Sequence, residues 1–218
     1  DMLGLNDYHL PRHPPADLGS GLLGHELGDG RYVLDRRPDL IVFHGGGGRA
    51  TGVFRGEKEM QARPLFIQSY TLAHFEAREL RRCEARVWVR RYGEKIGIRD
   101  TGGTIVIPAY LLNANSETVA YLDPAGRFVV AVSPQRPAGI QKLQLAPGRW
   151  RVEADVSSGL DIDMRAPAPP DSVSYADSMH EYVVVGQDPV VVDLMLISAA
   201  QEEVVVREVK LIRLPAVP

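Results

Sequence analysis

An α+β fold is predicted, with a small α/β N-terminal region followed by an antiparallel β-sandwich of jelly-roll type. Three observations carry this. Near residue 104 mixed helical and extended patches give way to apolar residues at a period of two. Turn signals then divide the chain at intervals near those of a β-sandwich. No helix-period segment interrupts these strands.

Each element has its own reason. In "GDGRYVLDRRPDLIVFHGGGG" Asp29 can cap a short helix that ends before Pro38, and "DLIVF" then forms a buried strand running into a glycine loop. "PLFIQSYTLAHFEARELRRCEA" predicts an amphipathic helix near 65–84. Phe66, Tyr70, Ala73, Ala77 and Leu80 fall on one face, and Pro64 precedes them where a missing N–H costs nothing. Cys83 falls in the same apolar row and is expected to be a buried thiol. "ARVWVRRYGEKIGIRD" reads as a hairpin around Gly93.

Beyond residue 104, "GRWRVEADV" puts Trp150, Val152, Ala154 and Val156 on one face, and "LDIDMR" turns Leu160, Ile162 and Met164 inward. "RFVVAV", "EYVVV", "VVVDLMLI" and "EVVVREVKLIRL" supply further strands, separated by "DPAG", "APG", "SSG" and "GQDP". "RAPAPPDS" (165–172) is a long loop inside the sandwich. The division falls at 1–103 and 104–218, and both two domains and one continuous body stay open.

Composition narrows the function classes. With 44% hydrophobic and 24% charged residues the chain is an ordinary folded one. A net charge of −3 leaves no basic surplus for nucleic acid. A single cysteine excludes an internal disulfide and leaves the compartment open. No apolar run reaches the roughly 20 residues that cross a bilayer as a helix. The chain opens at Asp1 rather than at a methionine, so a piece of a longer protein is expected.

Acids and imidazoles gather early, at Asp1, Asp7, His9, His13, His25, Glu26 and His44. His9 and His13 lie four apart, but Pro11 and Pro14 break the helix that would bring them together. "HEL" lacks the second histidine of HExxH, so no metal ligand is assigned. "HGGGG" has the form of an oxyanion-hole loop, yet no G-x-S-x-G nucleophile elbow occurs, and no G-K-[ST] makes it a phosphate loop. Sugar binding by the sandwich needs an exposed aromatic platform with polar partners. Tyr110, Tyr121, Tyr175 and Tyr182 are candidates, Tyr175 and His180 above the others. Trp150 belongs to the core side of its strand, and Asp155, Asp161 and Asp163 take solvated positions.

Read together, "DMLGLND" (1–7) and "GHELGDGRYVLDRRPDLIVF" (24–43) show a D-x-x-G-L-x-D stretch, a G-H-E motif and a Y-V-L-x-R-R-P-D helix–strand. This resembles the region after the last membrane helix in bacterial multi-pass glycosyltransferases of the GT-C superfamily. Those are relatives of the arabinofuranosyl- and mannosyltransferases that use polyprenyl-phosphate sugars. The likeness is close over about the first 45 residues, and the β-rich remainder agrees only in general character.

The resemblance implies an extracytoplasmic domain, periplasmic or on the outer face of the inner membrane, anchored by membrane segments outside this sequence. It implies that the catalytic acids lie in membrane loops outside this chain, so no catalytic residue is transferred and no cofactor is expected. The implied task is to cover the active-site mouth and to bind or orient an acceptor glycan or cell-envelope polysaccharide. The implied partners are that glycan and the membrane-embedded part of the same chain, with no nucleic acid. Asp1, Asp7, His9, His25, Tyr175 and His180 are the candidate binding residues. A free-standing carbohydrate- or partner-binding sandwich is the alternative, and a metal-assisted hydrolase using His9, His25 or His44 a third.

Overall fold

The computed structural model describes residues 29–77, 83–93, 95–113, 118–156, 159–167, 172–177, 180–199 and 203–215. The elements are α1 (Gly30–Asp35), β1 (Leu40–Ile41), α2 (Arg55–Gln61), α3 (Pro64–Ser69), β2 (Tyr70–Ala77), β3 (Cys83–Arg90), β4 (Arg99–Asp100) and β5 (Thr104–Pro108). A 3-10 turn (Ala109–Leu111) follows, then β6 (Ala120–Leu122), β7 (Phe128–Val132), β8 (Ala138–Leu145), β9 (Gly148–Val156) and β10 (Leu160–Arg165). β11 (Val173–Asp177), β12 (Glu181–Val184), β13 (Val190–Ser198) and β14 (Val204–Arg213) complete the chain.

The fold is β-rich with few helices, and its strands form two antiparallel-rich sheets. An eleven-stranded sheet runs β1-β3-β2-β6-β7-β14-β9-β12-β11, with β5 on β14 and β4 on β5. β10-β13-β8 make a three-stranded sheet. Leu143, Leu194 and Leu196 from the small sheet share a buried core with Ile107, Val152, Val209 and Leu211 from the large one. The alternation on β9 and β10 turns inward as expected, with Trp150, Val152, Leu160 and Met164 buried. The change of character near residue 104 does not interrupt the large sheet, because β2 pairs with β6 in parallel.

Three N-terminal expectations are corrected here. The helix expected near 65–84 stops at Ser69, and the chain continues as β2. Phe66, Tyr70 and Ala73 are all buried, as the apolar row required, but Phe66 and Tyr70 serve one core and Ala73 another. The reason is tertiary. "YTLAHFEA" also alternates, and eight consecutive residues of β2 pair in register with β3, which outweighs a modest helical preference. Leu80 lies outside the described residues. Cys83 opens β3 and is exposed, so it is not the buried thiol that a helical setting implied. Among the described residues no hairpin forms around Gly93. β3 pairs with β1 and β2 while β4 pairs with β5, and only a bridge between Tyr92 and Ile98 spans the glycine.

The first αβ unit forms as read. Asp29 accepts a hydrogen bond from the Tyr32 N–H at 2.9 Å and caps α1. The expected buried strand is reduced to β1, and burial alternates along it and the next two residues, with Ile41 and Phe43 inside and Leu40 and Val42 exposed. The glycine loop then lies along β3, and the Arg86 N–H donates to the Gly47 carbonyl at 2.6 Å. At Gly48, with φ of 76°, a Cβ would stand 2.1 Å from the Arg86 carbonyl oxygen, so no larger residue fits.

Candidate functional site: a cleft where β14 changes partners

β14 is the longest strand, and one of its edges is shared by two others. Residues 204–206 pair with β7, and residues 208–212 pair with β5. The change falls at Arg207–Glu208, where the ladder to β9 also shifts register between Val206 and Glu208. Both sides of the handover diverge for a local reason. β5 ends at Pro108, which lacks an N–H and leads into the 3-10 turn. The ladder to β7 reaches only Val130, so Phe128 is released from β14. A bulge with two strands parting from one edge leaves a gap in the surface.

That gap is a cleft of about 210 Å³ lined by Lys95, Ile96, Gly97, Arg99, Pro108, Ala109, Tyr110, Phe128, Arg207 and Glu208. One wall is aromatic. Phe75, Tyr110 and Phe128 form a cluster with ring centroids 5.0–5.9 Å apart, and Phe128 is 41% exposed. Burial raises the Tyr110 hydroxyl above its usual range, against the pull of the Gly97 backbone N–H and of Arg99. Tyr110 therefore stays a neutral donor and acceptor across physiological pH.

The other wall is charged. Arg99 reaches Glu208 at 3.4 Å, and Lys210 reaches the same carboxylate at 3.4 Å. Arg207 is held by Asp155 at 3.2 Å and lies 3.8 Å from Asp123. Asp123 is itself fixed, and its carboxyl sits below the usual range chiefly because the Arg127 N–H donates to it. A smaller cavity of about 160 Å³, lined by Glu153, Ala154, Asp155, Glu208 and Lys210, shares Glu208 with the cleft. The cleft itself carries charges of both signs and one aromatic end.

The chain matches no family model, no curated protein and no solved structure. The groove therefore has to be read from its own chemistry.

Of the residues expected to bind, Asp1, Asp7, His9 and His25 lie outside the described residues. Tyr175 and His180 are described, and neither lines the cleft. Tyr175 stands on edge strand β11, 55% exposed, with its ring 5.3 Å from the Tyr182 ring in an edge-on contact. His180 sits before β12 at φ of 57°, its carbonyl accepts from the Val152 N–H, and its buried Nδ1 finds no hydrogen-bond partner among the described residues. Of the other tyrosines, Tyr121 and Tyr182 are buried and Tyr110 is the one in the cleft. Among the described residues no group of three or more His, Cys, Asp or Glu side chains could hold a metal, and no helix is long and apolar enough to cross a membrane.

One signal for the cleft was present in the sequence. In "VVVREVKLIR" the buried residues run Val204, Val206, then Val209, Leu211, so the period of two slips at the Arg207–Glu208 pair. A slip of this kind marks a bulge, which bends the strand and re-aims its side chains.

Beside His180, Glu181 is almost fully buried and accepts from Arg151 and Arg149, each at 2.7 Å. The Arg151 hydrogen bond is the chief reason its carboxyl lies below the usual range, followed on the same side by Arg149 and opposed by desolvation. A depressed carboxylate stabilises the folded state fully above its unfolded pKa, and loses that contribution as pH falls through the lower folded value. Glu181→Gln is thus expected to melt below the wild type at neutral pH, with the gap closing on acidification below about pH 4. A gap that stays constant from neutral to acid in a thermal-melt series would contradict this role for the Arg149–Glu181–Arg151 cluster.

Proposed function

We propose that this chain is the extracytoplasmic domain of a bacterial membrane glycosyltransferase of the GT-C superfamily, with a sandwich of jelly-roll type as its body. In this reading it does not transfer sugar itself but binds and orients the acceptor glycan at the mouth of the membrane-embedded active site. The observation that carries the binding role is the groove at the β14 handover. It combines an exposed aromatic surface, which suits the apolar face of a sugar ring, with fixed charged groups, which suit its hydroxyls. At about 210 Å³ the first cavity is smaller than the ~300–1,000 Å³ typical of drug-sized ligands, a size suited to one ring. The motifs "DMLGLND" and "YVLDRRPD" support the membrane-enzyme half of the reading.

The two halves are tested separately. Cell-envelope oligosaccharides titrated into the chain are expected to shift the amide signals of residues 95–99, 108–110 and 207–208. Phe128→Ala should weaken that binding about tenfold, on the order of 1.4 kcal/mol. Phe128 is half out of its cluster, so the variant should remain folded, as circular dichroism would verify. Absence of any glycan binding at millimolar concentration would sink the binding role. For the other half, the coding sequence upstream of Asp1 should specify several membrane-spanning segments, and a reading frame that begins at Asp1 would overturn it.

A further inference from the structure

We propose that the cleft selects a sugar that carries a carboxylate, a hexuronic acid residue, seated between Lys95 and Arg99 against the Tyr110–Phe128 wall. This rests on the glycan-binding reading and adds the charge of the ligand to it.

The cations of the cleft differ in how far their charge is already met. Three cations, Lys95, Arg99 and Arg207, line the first cavity, against the single carboxylate of Glu208. Arg207 hydrogen-bonds to Asp155 at 3.2 Å, and its buried Nε faces Asp123 at 3.8 Å without a hydrogen bond among the described residues, so its charge is already met by two carboxylates. Glu208 is neutralised from two sides, by Arg99 and by Lys210. Arg99 keeps donors to spare. It has five N–H groups, makes one 3.4 Å bond to Glu208, and its side chain is 57% exposed. Lys95 is exposed and makes no ion pair among the described residues. A planar guanidinium beside an ammonium is a suitable cradle for a ligand carboxylate.

The surroundings give this end its direction. In the neighbouring cavity Asp155 is paired with Arg207 and Glu208 with Arg99 and Lys210, which leaves Glu153 as a carboxylate with no ion pair among the described residues, so an anion is favoured at the Lys95–Arg99 end instead. Tyr110, held neutral, can donate to a carboxylate without opposing it. The aromatic wall distinguishes a sugar acid from a bare anion, because only a ring has an apolar face to lay on Phe128.

The test uses the 218-residue chain and three probes: a uronic-acid disaccharide, the same disaccharide with its carboxyl reduced to the alcohol, and inorganic phosphate. Calorimetry at low and high salt is expected to show the acid binding at least about tenfold tighter than the reduced sugar, with that advantage fading in high salt. In the double variant Lys95→Gln with Arg99→Gln, both exposed positions that leave the core untouched, the two sugars should bind alike. Phe128→Ala should weaken both sugars. Equal binding of the two sugars to the wild type would overturn the uronic-acid proposal and leave the glycan cleft standing. Phosphate binding with neither sugar bound, or no binding of any probe, would overturn the proposal and the glycan reading together.

Discussion

Phe66→Ala is expected to lower the unfolding free energy by about 3–5 kcal/mol, the range for removing a fully buried phenylalanine side chain. Phe66 is 2% exposed at the centre of a small second core formed with Leu34, Ile41, Phe43, Met60 and Tyr70. Its ring lies 5.9 Å from Phe43, 5.3 Å from Tyr70 and 4.8 Å from Trp88, so truncation empties a cage of three aromatic rings. Tyr70 is held from refilling that space by donating its hydroxyl to the Pro38 carbonyl at 2.8 Å. Burial pushes that hydroxyl up to about 12, so it stays a donor at any working pH. The damage should be local. β2 and β3 carry residues of both cores, with Tyr70 and Trp88 on this side and Ala73 and Val89 on the main-core side. The two tryptophans divide between the cores, Trp88 against the small one and Trp150 in the large one, and single Trp→Phe variants make each a reporter. In the Phe66→Ala background the Trp88 signal should be lost at lower denaturant than the Trp150 signal. An unchanged midpoint for both reporters would refute the central place given to Phe66.

The second half of the chain was legible because there each strand carries its own period. Trp150 and Val152, or Leu160 and Met164, point inward whatever strand lies alongside, so the pattern survives ignorance of the topology. Residues 64–90 were not legible in this way. The spacing of Phe66, Tyr70 and Ala73 fits one helix face, yet a short helix followed by a strand buries the same three side chains. Only the register with β3, a contact beyond the segment, separates the two solutions.

The cleft was harder still. Lys95, Arg99, Tyr110, Phe128 and Arg207 are scattered over more than half the chain, and they meet only because β14 passes from β7 to β5. Chemistry alone makes Tyr110 a platform candidate, while Tyr175, the stronger candidate on the same grounds, stands on the far edge of the sheet beside Tyr182. The slip in the period at Arg207–Glu208 was the one local trace of that handover.

Arg91→Ala is expected to destabilise the chain by about 2–3 kcal/mol, a large effect for a residue outside both cores. Arg91 follows β3 and ties the two sheets together. On the large sheet its Nε and Nη2 donate to the Thr71 hydroxyl at 3.2 and 3.1 Å. On the small sheet its Nη1 donates to the Gln141 and Lys142 carbonyls at 2.8 and 3.0 Å. Those carbonyls belong to an irregular stretch of β8, where Lys142 has φ of 56° and its N–H donates to Asp193 beside a bulge in β13. The ladder is thus locally broken, and Arg91 supplies donors to carbonyls at the break. Desolvation lowers the guanidinium pKa, but an arginine starts so high that the group remains a cation. Arg91→Lys separates charge from geometry. One ammonium keeps the charge but cannot span Thr71 and both carbonyls, so lysine should recover less than half of the loss. Denaturant titration reads this directly, with the midpoint falling and the slope unchanged if the native state stays compact. A lysine variant as stable as the wild type would mean that Arg91 acts through its charge and not through the geometry of its guanidinium.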